Sequence, residues 1–166
     1  MVTAEWHFQH DAGRPFAETS AELAALHPRH AELIAAWGPR FLESIPGPVE
    51  AMPELAAELD AAGVPLYAIT NFSGEFFPPF RAREAALFDR FRDILVSGDE
   101  RLVKPDPAIY RLALDRWGLK AQRTVFIDDN PANVDGAAAL GIIALHFTDE
   151  PTLRRDLTNL GLLGPG

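Results

Sequence analysis

Two adjacent carboxylates, Asp128 and Asp129, follow the apolar run Val125–Ile127 and precede a helical pattern. The β-branched and aromatic residues of that run predict a buried strand, and ligands of open parallel sheets bind just beyond the carboxyl ends of such strands. Paired acids at this position favour a divalent metal site. The alternative is that Asp129 or Asn130 only caps the following helix, which Asp and Asn often do.

Four short apolar runs separated by helical patterns predict the elements that position these acids. The predicted strands are Leu66–Thr70, Ile94–Ser97, Val125–Asp128 and Ile142–Phe147. The predicted helices lie within 80–88 and at Pro107–Trp117, Ala132–Leu140 and Pro151–Leu160. Strands that alternate with helices of about ten residues predict βαβ units, a parallel sheet and an α/β fold.

The chain before these strands has a different pattern. Helices are predicted at Glu18–Leu26 and Ala31–Trp37 and from Val49 to an end at Gly63, with Ile45–Pro48 as a hinge or linker. No helix start signal is apparent before Trp6. The aromatic residues of this part are predicted to pack in a core rather than to form a binding surface; they are Trp6, Phe8, Trp37 and Phe41.

Polar residues follow the other strands as well. Thr70 and Asn71 end the first strand, and Lys104 lies a few residues after the second. Parallel strands would bring them to the edge that holds the acids, where they suit an anionic group beside Mg²⁺. Each also has a purely structural interpretation, as a strand former, a turn residue and an exposed loop lysine. Pro105 and Pro107 favour a directed Lys104, because they stiffen its loop.

Two further polar residues lie near the same edge. Asn133 either lines the site from the first turn of its helix or faces water, and the sequence leaves both alternatives open. His146 ends the last strand without a partner at ligand spacing, so a structural role is predicted rather than a metal ligand.

Composition excludes several classes of protein. At 166 residues, 48% apolar and 23% charged, the chain is long enough for a folded core and too short for two full domains. It has no cysteine, which excludes disulfides and Cys nucleophiles. The formal charge is 15 − 24 = −9 with scattered acids, which disfavours nucleic-acid binding. No apolar run reaches the length of a signal or a membrane span, so a cytoplasmic location is expected.

Three runs carry a resemblance to a known family. They are I-T-N-F-S (69–73), V-K-P-D-P-A-I-Y (103–110) and F-I-D-D-N-P-A-N-V-D-G-A (126–137). In order and spacing they resemble motifs two, three and four of the haloacid dehalogenase-like hydrolase superfamily. The resemblance covers roughly Pro48 to Leu163 and implies a Rossmann-like parallel sheet with flanking helices. It divides the chain into a partial helical cap, 1–46, and an α/β core, 47–166.

The resemblance also implies an activity. Members are mostly Mg²⁺-dependent phosphatases that work through an aspartyl intermediate, so a small phosphorylated metabolite is the expected substrate. In that scheme Thr70 and Lys104 are catalytic, and together with Asn71 they bind the substrate. Asp129, assisted by Asp128, would hold Mg²⁺.

The chain departs from the family at its first motif, an Asp-x-Asp pair after an N-terminal strand. Asp11 follows no apolar run and is rejected as the nucleophile, so little or no turnover is expected. The missing strand would lie between Leu66–Thr70 and Val125–Asp128 and would leave their edges unpaired. The two strands then pair directly, or a partner donates a strand, or the chain is truncated at its N-terminus, which is the favoured interpretation.

Two other functions stay open. The first is a non-catalytic relative that binds Mg²⁺ or an anion, or that interacts with another protein through its exposed sheet edges. The second is a haloacid dehalogenase, disfavoured because a haloacid displacement does not need the metal-binding acids. Unpaired strand edges are also compatible with a homodimer.

Overall fold

The protein is described by a computed structural model of residues 2–164. The chain forms two compact units. The first contains the residues up to Gly47 with Thr70–Ala85 and Leu95–Val103, and the second contains Pro48–Ile69, Ala86–Ile94 and the residues from Lys104 onward. Within the described range, none of the helices has the length and apolar character needed to cross a membrane.

The described residues form ten α-helices and four strands, named here in chain order. The helices are α1 (Ala4–Asp11), α2 (Phe16–Leu26), α3 (Ala31–Trp37), α4 (Met52–Ala61), α5 (Phe77–Arg83), α6 (Ala85–Phe88), α7 (Ser97–Glu100), α8 (Pro107–Trp117), α9 (Pro131–Ala138) and α10 (Glu150–Asn159). The strands are β1 (Leu66–Thr70), β2 (Phe91–Val96), β3 (Val125–Asp128) and β4 (Ile143–His146).

Helix α1 shows that a helix start signal does lie before Trp6. The Thr3 side chain accepts a hydrogen bond from the Trp6 backbone N–H at 3.1 Å, so Thr3 is the N-cap. Thr3 with an acid, Glu5, in the first turn is the start signal that the sequence analysis missed.

Aromatic packing in the first unit largely follows the prediction. Trp6 is buried with Leu23 and Ile34, and its indole Nε1 donates to the Thr19 carbonyl at 3.1 Å. Phe41 is buried, and Trp37 packs against this core. The prediction is wrong for the remaining aromatic residue, Phe8, whose side chain is exposed on α1.

The predicted bounds of β2 and the predicted start of α5 are also wrong. Strand β2 begins at Phe91, three residues before its predicted start, because an edge strand tolerates the exposed charges of Arg92 and Asp93. It ends at Val96, since Ser97 begins α7. Helix α5 begins at Phe77, because prolines are tolerated in the first turn of a helix.

The strands of the second unit lie between two helical layers. On one face Leu66, Val125 and Ile127 pack against the leucines of α4 and α10. On the other face Tyr67 stacks on Trp117 of α8 at 4.7 Å between ring centroids, and Phe126 packs edge-on against Tyr110 at 5.4 Å. Neighbouring residues of each strand thus point to opposite faces, as a pleated strand requires, and the predicted α/β fold is confirmed.

The strands form two separate pairs rather than one sheet. Strand β1 pairs with β2, and β3 pairs in parallel with β4, with Val125 opposite Ile143 and Asp128 opposite His146. Within residues 2–164, β1 and β3 do not pair, so the possibility that these strands close up directly is wrong. Both line an apolar cavity of about 460 Å³ instead.

Candidate active site at the carboxyl end of β3

Asp128 is the last residue of β3 and the centre of a hydrogen-bond network. Its Oδ2 accepts from the Lys104 ammonium at 2.7 Å. Its Oδ1 accepts from the Asn130 backbone N–H at 2.9 Å and from the Asn133 side-chain Nδ2 at 3.0 Å. The side chains of Lys104 and Asp128 are only 11% and 7% exposed, so this is a buried ion pair.

The network keeps Asp128 ionised. Burial by itself would raise the pKa of this carboxyl, because a low-dielectric environment disfavours the charged form. The hydrogen bonds from Lys104, Asn130 and Asn133, together with the lysine charge, outweigh burial, so the pKa of Asp128 lies below its ordinary value. At neutral pH the site therefore contains a carboxylate that is charged and fully paired.

Lys104 reaches this carboxylate from the loop before α8. The loop ends where the Asp106 side chain caps α8 by accepting from the Ala108 N–H at 2.8 Å. The Lys104 Nζ also lies 5.6 Å from the centroid of the Phe126 ring, a cation–π distance. The interpretation of Lys104 as an exposed loop lysine is therefore wrong.

Helix α9 begins directly after the acids. Asn130 is its N-cap, since its side chain accepts from the Ala132 N–H at 3.0 Å. Capping thus accounts for Asn130 and not for Asp129. Asn133 is buried and contacts Asp128, so it lines the site rather than facing water. Its Oδ1 atom has no hydrogen-bond partner in the described part of the chain.

Asp129 differs from its neighbour Asp128. Its side chain is exposed and, among residues 2–164, has no hydrogen-bond or ion-pair partner. Its backbone is ordered by β4, because the His146 Nε2 donates to the Asp129 carbonyl at 3.0 Å. His146 thus has the structural role predicted for it. Its hydrogen bond uses the Asp129 backbone carbonyl and not the side-chain carboxylate.

Two residues that sequence reasoning missed hold α9 in place, one from α8 and the other at the loop that carries Lys104. The Tyr110 hydroxyl donates to the Asn133 carbonyl at 2.8 Å. A Cβ atom at Gly136 would lie 2.8 Å from the Pro105 carbonyl oxygen, so only glycine fits this contact. A glycine within a helical pattern is itself a signal of close packing. No comparable signal marked Tyr110.

Thr70 and Asn71 lie at the end of β1, as predicted, and belong to the first unit. Lys104, Asp128 and Asp129 belong to the second. The structure brings Lys104 and Asp128 together with Asn133, which the sequence had left undecided. The convergence of Thr70 and Asn71 on the same edge stays a prediction.

The oxygen atoms near the end of β3 suit Mg²⁺. Across residues 2–164 no three His, Asp or Glu side chains cluster as a closed metal cage. Mg²⁺ does not need one, because it commonly keeps several waters and binds through one or two carboxylates. Within the described residues, the Asp129 carboxylate and the Asn133 Oδ1 have no hydrogen-bond partner, and both are oxygen ligands of the type that Mg²⁺ binds. The residues present therefore fit the metal.

The two acids lie at the carboxyl end of a strand of an α/β core, which is where ligands of open α/β sheets bind. The family model for "haloacid dehalogenase-like hydrolase" matches residues 6–141. The chain belongs to this family.

Curated relatives include both phosphatases and a dehalogenase. The sesquiterpene phosphatase astK of Aspergillus oryzae is 34% identical over 109 residues, which are 66% of this chain and 55% of that protein. The (S)-2-haloacid dehalogenase 4A of Burkholderia cepacia is 32% identical over 89 residues, 53% of this chain and 38% of that protein. The chain therefore spans about half of the first relative and less of the second.

A solved structure has the same fold. It is a HAD family enzyme of Bacteroides thetaiotaomicron in a magnesium complex, with a TM-score of 0.70 and 22% identity. The match covers 92% of this chain and 80% of that one.

Proposed function

We propose that this chain supplies the Mg²⁺- and phosphate-binding part of a phosphatase that acts on small phosphorylated metabolites. The observation that carries the proposal is that the two adjacent acids have different partners. Asp128 binds Lys104, whereas the carboxylate of Asp129, one residue further on, has no partner among residues 2–164. That arrangement would leave one acid to bind the metal, with the Lys104 ammonium held by the neighbouring residue, Asp128.

Each residue of the candidate site would have its own role. Asp129, with Asn133 Oδ1 nearby in the chain, would hold Mg²⁺, which when bound supplies positive charge to phosphoryl oxygens. The Lys104 ammonium has three donor hydrogens, so it can hold Asp128 and still neutralise a phosphate. Thr70 and Asn71 would donate hydrogen bonds to the same phosphate, as the family resemblance implies. The comparisons support this chemistry, since a related HAD structure contains magnesium and inorganic phosphate.

We expect the chain alone to bind these ligands with little or no turnover. The described acids include no carboxylate in the position of the family's nucleophile. Asp11 lies in helix α1, where burial raises the pKa of its carboxyl, and its backbone carbonyl accepts from the Ser97 hydroxyl. Asp11 thus lies within a helix and not at the end of a strand, where the family's first motif would have its nucleophile.

Metal binding tests the role of Asp129. Mg²⁺ is titrated calorimetrically into the wild type, Asp129→Asn and a matched control, Asp135→Asn, whose exposed acid lies on α9. We expect Asp129→Asn to weaken Mg²⁺ binding by roughly tenfold or more, about 1.4 kcal/mol, with the control unchanged. Equal affinities for all three proteins would contradict the proposed metal site.

Turnover separates the alternatives. Hydrolysis of p-nitrophenyl phosphate is measured with Mg²⁺ and again with a chelator. Background rates are expected for this chain, whereas Mg²⁺-dependent turnover abolished by Asp129→Ala would overturn the expected inactivity. Metal-independent release of halide from a 2-haloacid would favour the dehalogenase. A cytoplasmic location and a homodimer stay predictions.

A further inference from the structure

A buried serine lies directly beyond the strand that pairs with β1. Ser97 follows the last residue of β2, begins α7 and is 0% exposed. A fully buried hydroxyl normally has hydrogen-bond partners, because leaving it unpaired in the interior costs free energy. The partners of Ser97 are backbone groups from two other segments of the first unit, the end of α1 and the loop after β1.

The Ser97 hydroxyl joins those two segments. It donates to the Asp11 carbonyl at 2.6 Å and accepts from the Phe72 N–H at 2.9 Å. Asp11 is the last residue of α1, where carbonyl groups have no partner within the helix. A longer contact of 3.4 Å with the Phe72 carbonyl is the weaker alternative for the single hydroxyl hydrogen. Ser97 is therefore a donor to one segment and an acceptor from the other.

Gly98 pairs with the other polar group of the Phe72 backbone. Its N–H donates to the Phe72 carbonyl at 3.0 Å, so the N–H and C=O groups of Phe72 are both paired with this short segment. A Cβ atom at Gly98 would lie 2.5 Å from the Gly74 nitrogen and 2.9 Å from the Phe72 carbonyl oxygen. Only glycine allows the backbones to approach so closely. The loop after β1 is thus packed tightly against the start of α7.

Phe72 follows directly after Thr70 and Asn71, the two residues proposed to donate hydrogen bonds to phosphate. A loop that is already ordered before its ligand arrives loses less conformational entropy on binding, which raises affinity. Ser97 is not itself available to phosphate, because it is fully buried and its hydrogen is used by the Asp11 carbonyl. Any effect of Ser97 on phosphate binding must therefore act through Phe72.

We infer that Ser97 is a positioning residue for the loop of residues 70–72. Its hydroxyl ties the Phe72 backbone to the end of α1, so that Thr70 and Asn71 are ordered for phosphate before it binds. This role rests on the proposed function, since it matters only if Thr70 and Asn71 bind phosphate. The alternative is that the backbone bond from Gly98 orders the loop by itself, which would make the Ser97 side chain dispensable.

Phosphate affinity tests this role. Inorganic phosphate is titrated calorimetrically, with Mg²⁺ present, into the wild type, Ser97→Ala and a matched control, Thr19→Val. Thr19 is 1% exposed in the same unit, and its hydroxyl lies 2.6 Å from the His10 Nε2, so the control also removes a buried hydrogen bond. Ser97→Ala is expected to weaken phosphate binding roughly tenfold, whereas Thr19→Val should bind phosphate like the wild type.

Hydrogen exchange of the Phe72 amide, followed by NMR without phosphate, tests the positioning in the absence of ligand. This amide should exchange slowly in the wild type, because it donates to a buried hydroxyl. Exchange at Phe72 should be roughly tenfold faster in Ser97→Ala. An unchanged rate at Leu23, in α2 of the same unit, would show that the variant is folded.

A second variant keeps the test decisive if Ser97→Ala does not fold. Ser97→Cys replaces the hydroxyl by a thiol, which is a weaker donor and acceptor. Its phosphate affinity and its Phe72 exchange rate should therefore both lie between those of the wild type and those expected for Ser97→Ala. Values equal to the wild type in both measurements would contradict the role of the hydroxyl.

Three further results would overturn the inference. Equal phosphate affinities for the wild type and folded Ser97→Ala would mean that the Gly98 bond suffices. Fast exchange of the Phe72 amide in the ligand-free wild type would mean that the loop is not ordered before binding. An equal loss of affinity in Thr19→Val would mean that the effect is a general one on the unit.

Failure of the proposed function would look different. In that case the wild type would not bind phosphate at all, and the role assigned to Ser97 would fall with the proposed function. The Phe72 exchange rates are measured without phosphate, so they show separately whether the Ser97 hydroxyl orders the loop.

Discussion

The carboxyl end of β3 and the body of the same strand differ in how many of their hydrogen-bonding and packing partners this chain supplies. At the end, both oxygens of Asp128 have hydrogen-bond partners at 3.0 Å or less. Along the body, Val125–Ile127 are half-buried, and one backbone edge faces a cavity. The hydrogen bonds of Asp128 are thus complete, whereas the packing around the body of the strand is not.

The difference reflects where the partners come from. Asn130 and Asn133 lie within five residues of Asp128, and Lys104 is held on the neighbouring loop by α8 and α9. These partners do not require a further strand. The body of a central strand needs a neighbour on each side, and β3 has one only at β4 in the described range. Four predictions test this contrast, beginning with the largest expected effect.

Lys104→Met should be the most damaging single change. It leaves the Asp128 carboxylate buried without its cation, and breaking a buried pair in this way costs about 3–5 kcal/mol. Urea unfolding measures the loss. Lys120→Met, at an exposed position, is the control and should change stability little. A loss below about 1 kcal/mol for Lys104→Met would mean that the carboxyl end of β3 does not depend on the Lys104–Asp128 pair for its stability.

Gly136→Ala should lower stability by about 1–3 kcal/mol, because the added Cβ would lie 2.8 Å from the Pro105 carbonyl oxygen. At an open helix position the same change would raise stability by roughly 0.5–1 kcal/mol. The sign of the stability change therefore shows whether the contact between Gly136 and Pro105 is tight. Asp135→Ala on the exposed side of α9 should be nearly neutral in the same thermal denaturation experiment. Stabilisation by Gly136→Ala would show that α9 and the loop that contains Lys104 and Pro105 are loosely packed.

Ala68→Leu should have the opposite effect and raise stability by about 0.5–2 kcal/mol, because the larger side chain fills the cavity beside β1. Ala61→Leu is the comparison, since that position on α4 is exposed. Chemical denaturation of both variants checks the sign. A loss of stability on Ala68→Leu alone would indicate that the cavity is already filled or closed in solution.

The pH dependence of Asp128 should be the smallest effect, because burial offsets part of what its hydrogen bonds contribute. Its pKa is lowered in the folded state, so its stabilisation is present above the unfolded-state pKa of about 4 and is lost as the pH falls through the folded pKa. The advantage of the wild type over Asp128→Asn should therefore shrink below about pH 4. An advantage that grows on acidification would contradict the lowered pKa.

Local patterns predicted much of the fold correctly. The bounds of β1, β3 and α8 coincide with the predicted ranges, since each is an apolar or amphipathic run with clear breaks at its ends. Helix α1 was missed because its start signal consists only of the Thr3 cap and one acid, Glu5, in the first turn. The beginning of β2 was missed because its exposed charges interrupt the apolar pattern.

The candidate site was predictable only in part. Residue type and position in the chain were enough to select the two acids and Lys104. The direction of Lys104 was predicted because Pro105 and Pro107 stiffen its loop. The role of Asn133 stayed undecided, because one helix position does not reveal which side is buried. Tyr110 was not found at all, since its contact with Asn133 joins residues 23 positions apart.

The sequence by itself determined the order of strands and helices, the acid pair at the end of β3 and the caps that start its helices. These depend on side-chain pattern and on hydrogen bonds between residues that are near in the chain. Only the tertiary structure decided that Asp128 pairs with Lys104 while Asp129 stays free, and that the strands remain in two pairs around a cavity. Those outcomes depend on packing between distant segments, where burial and available partners decide which contacts form.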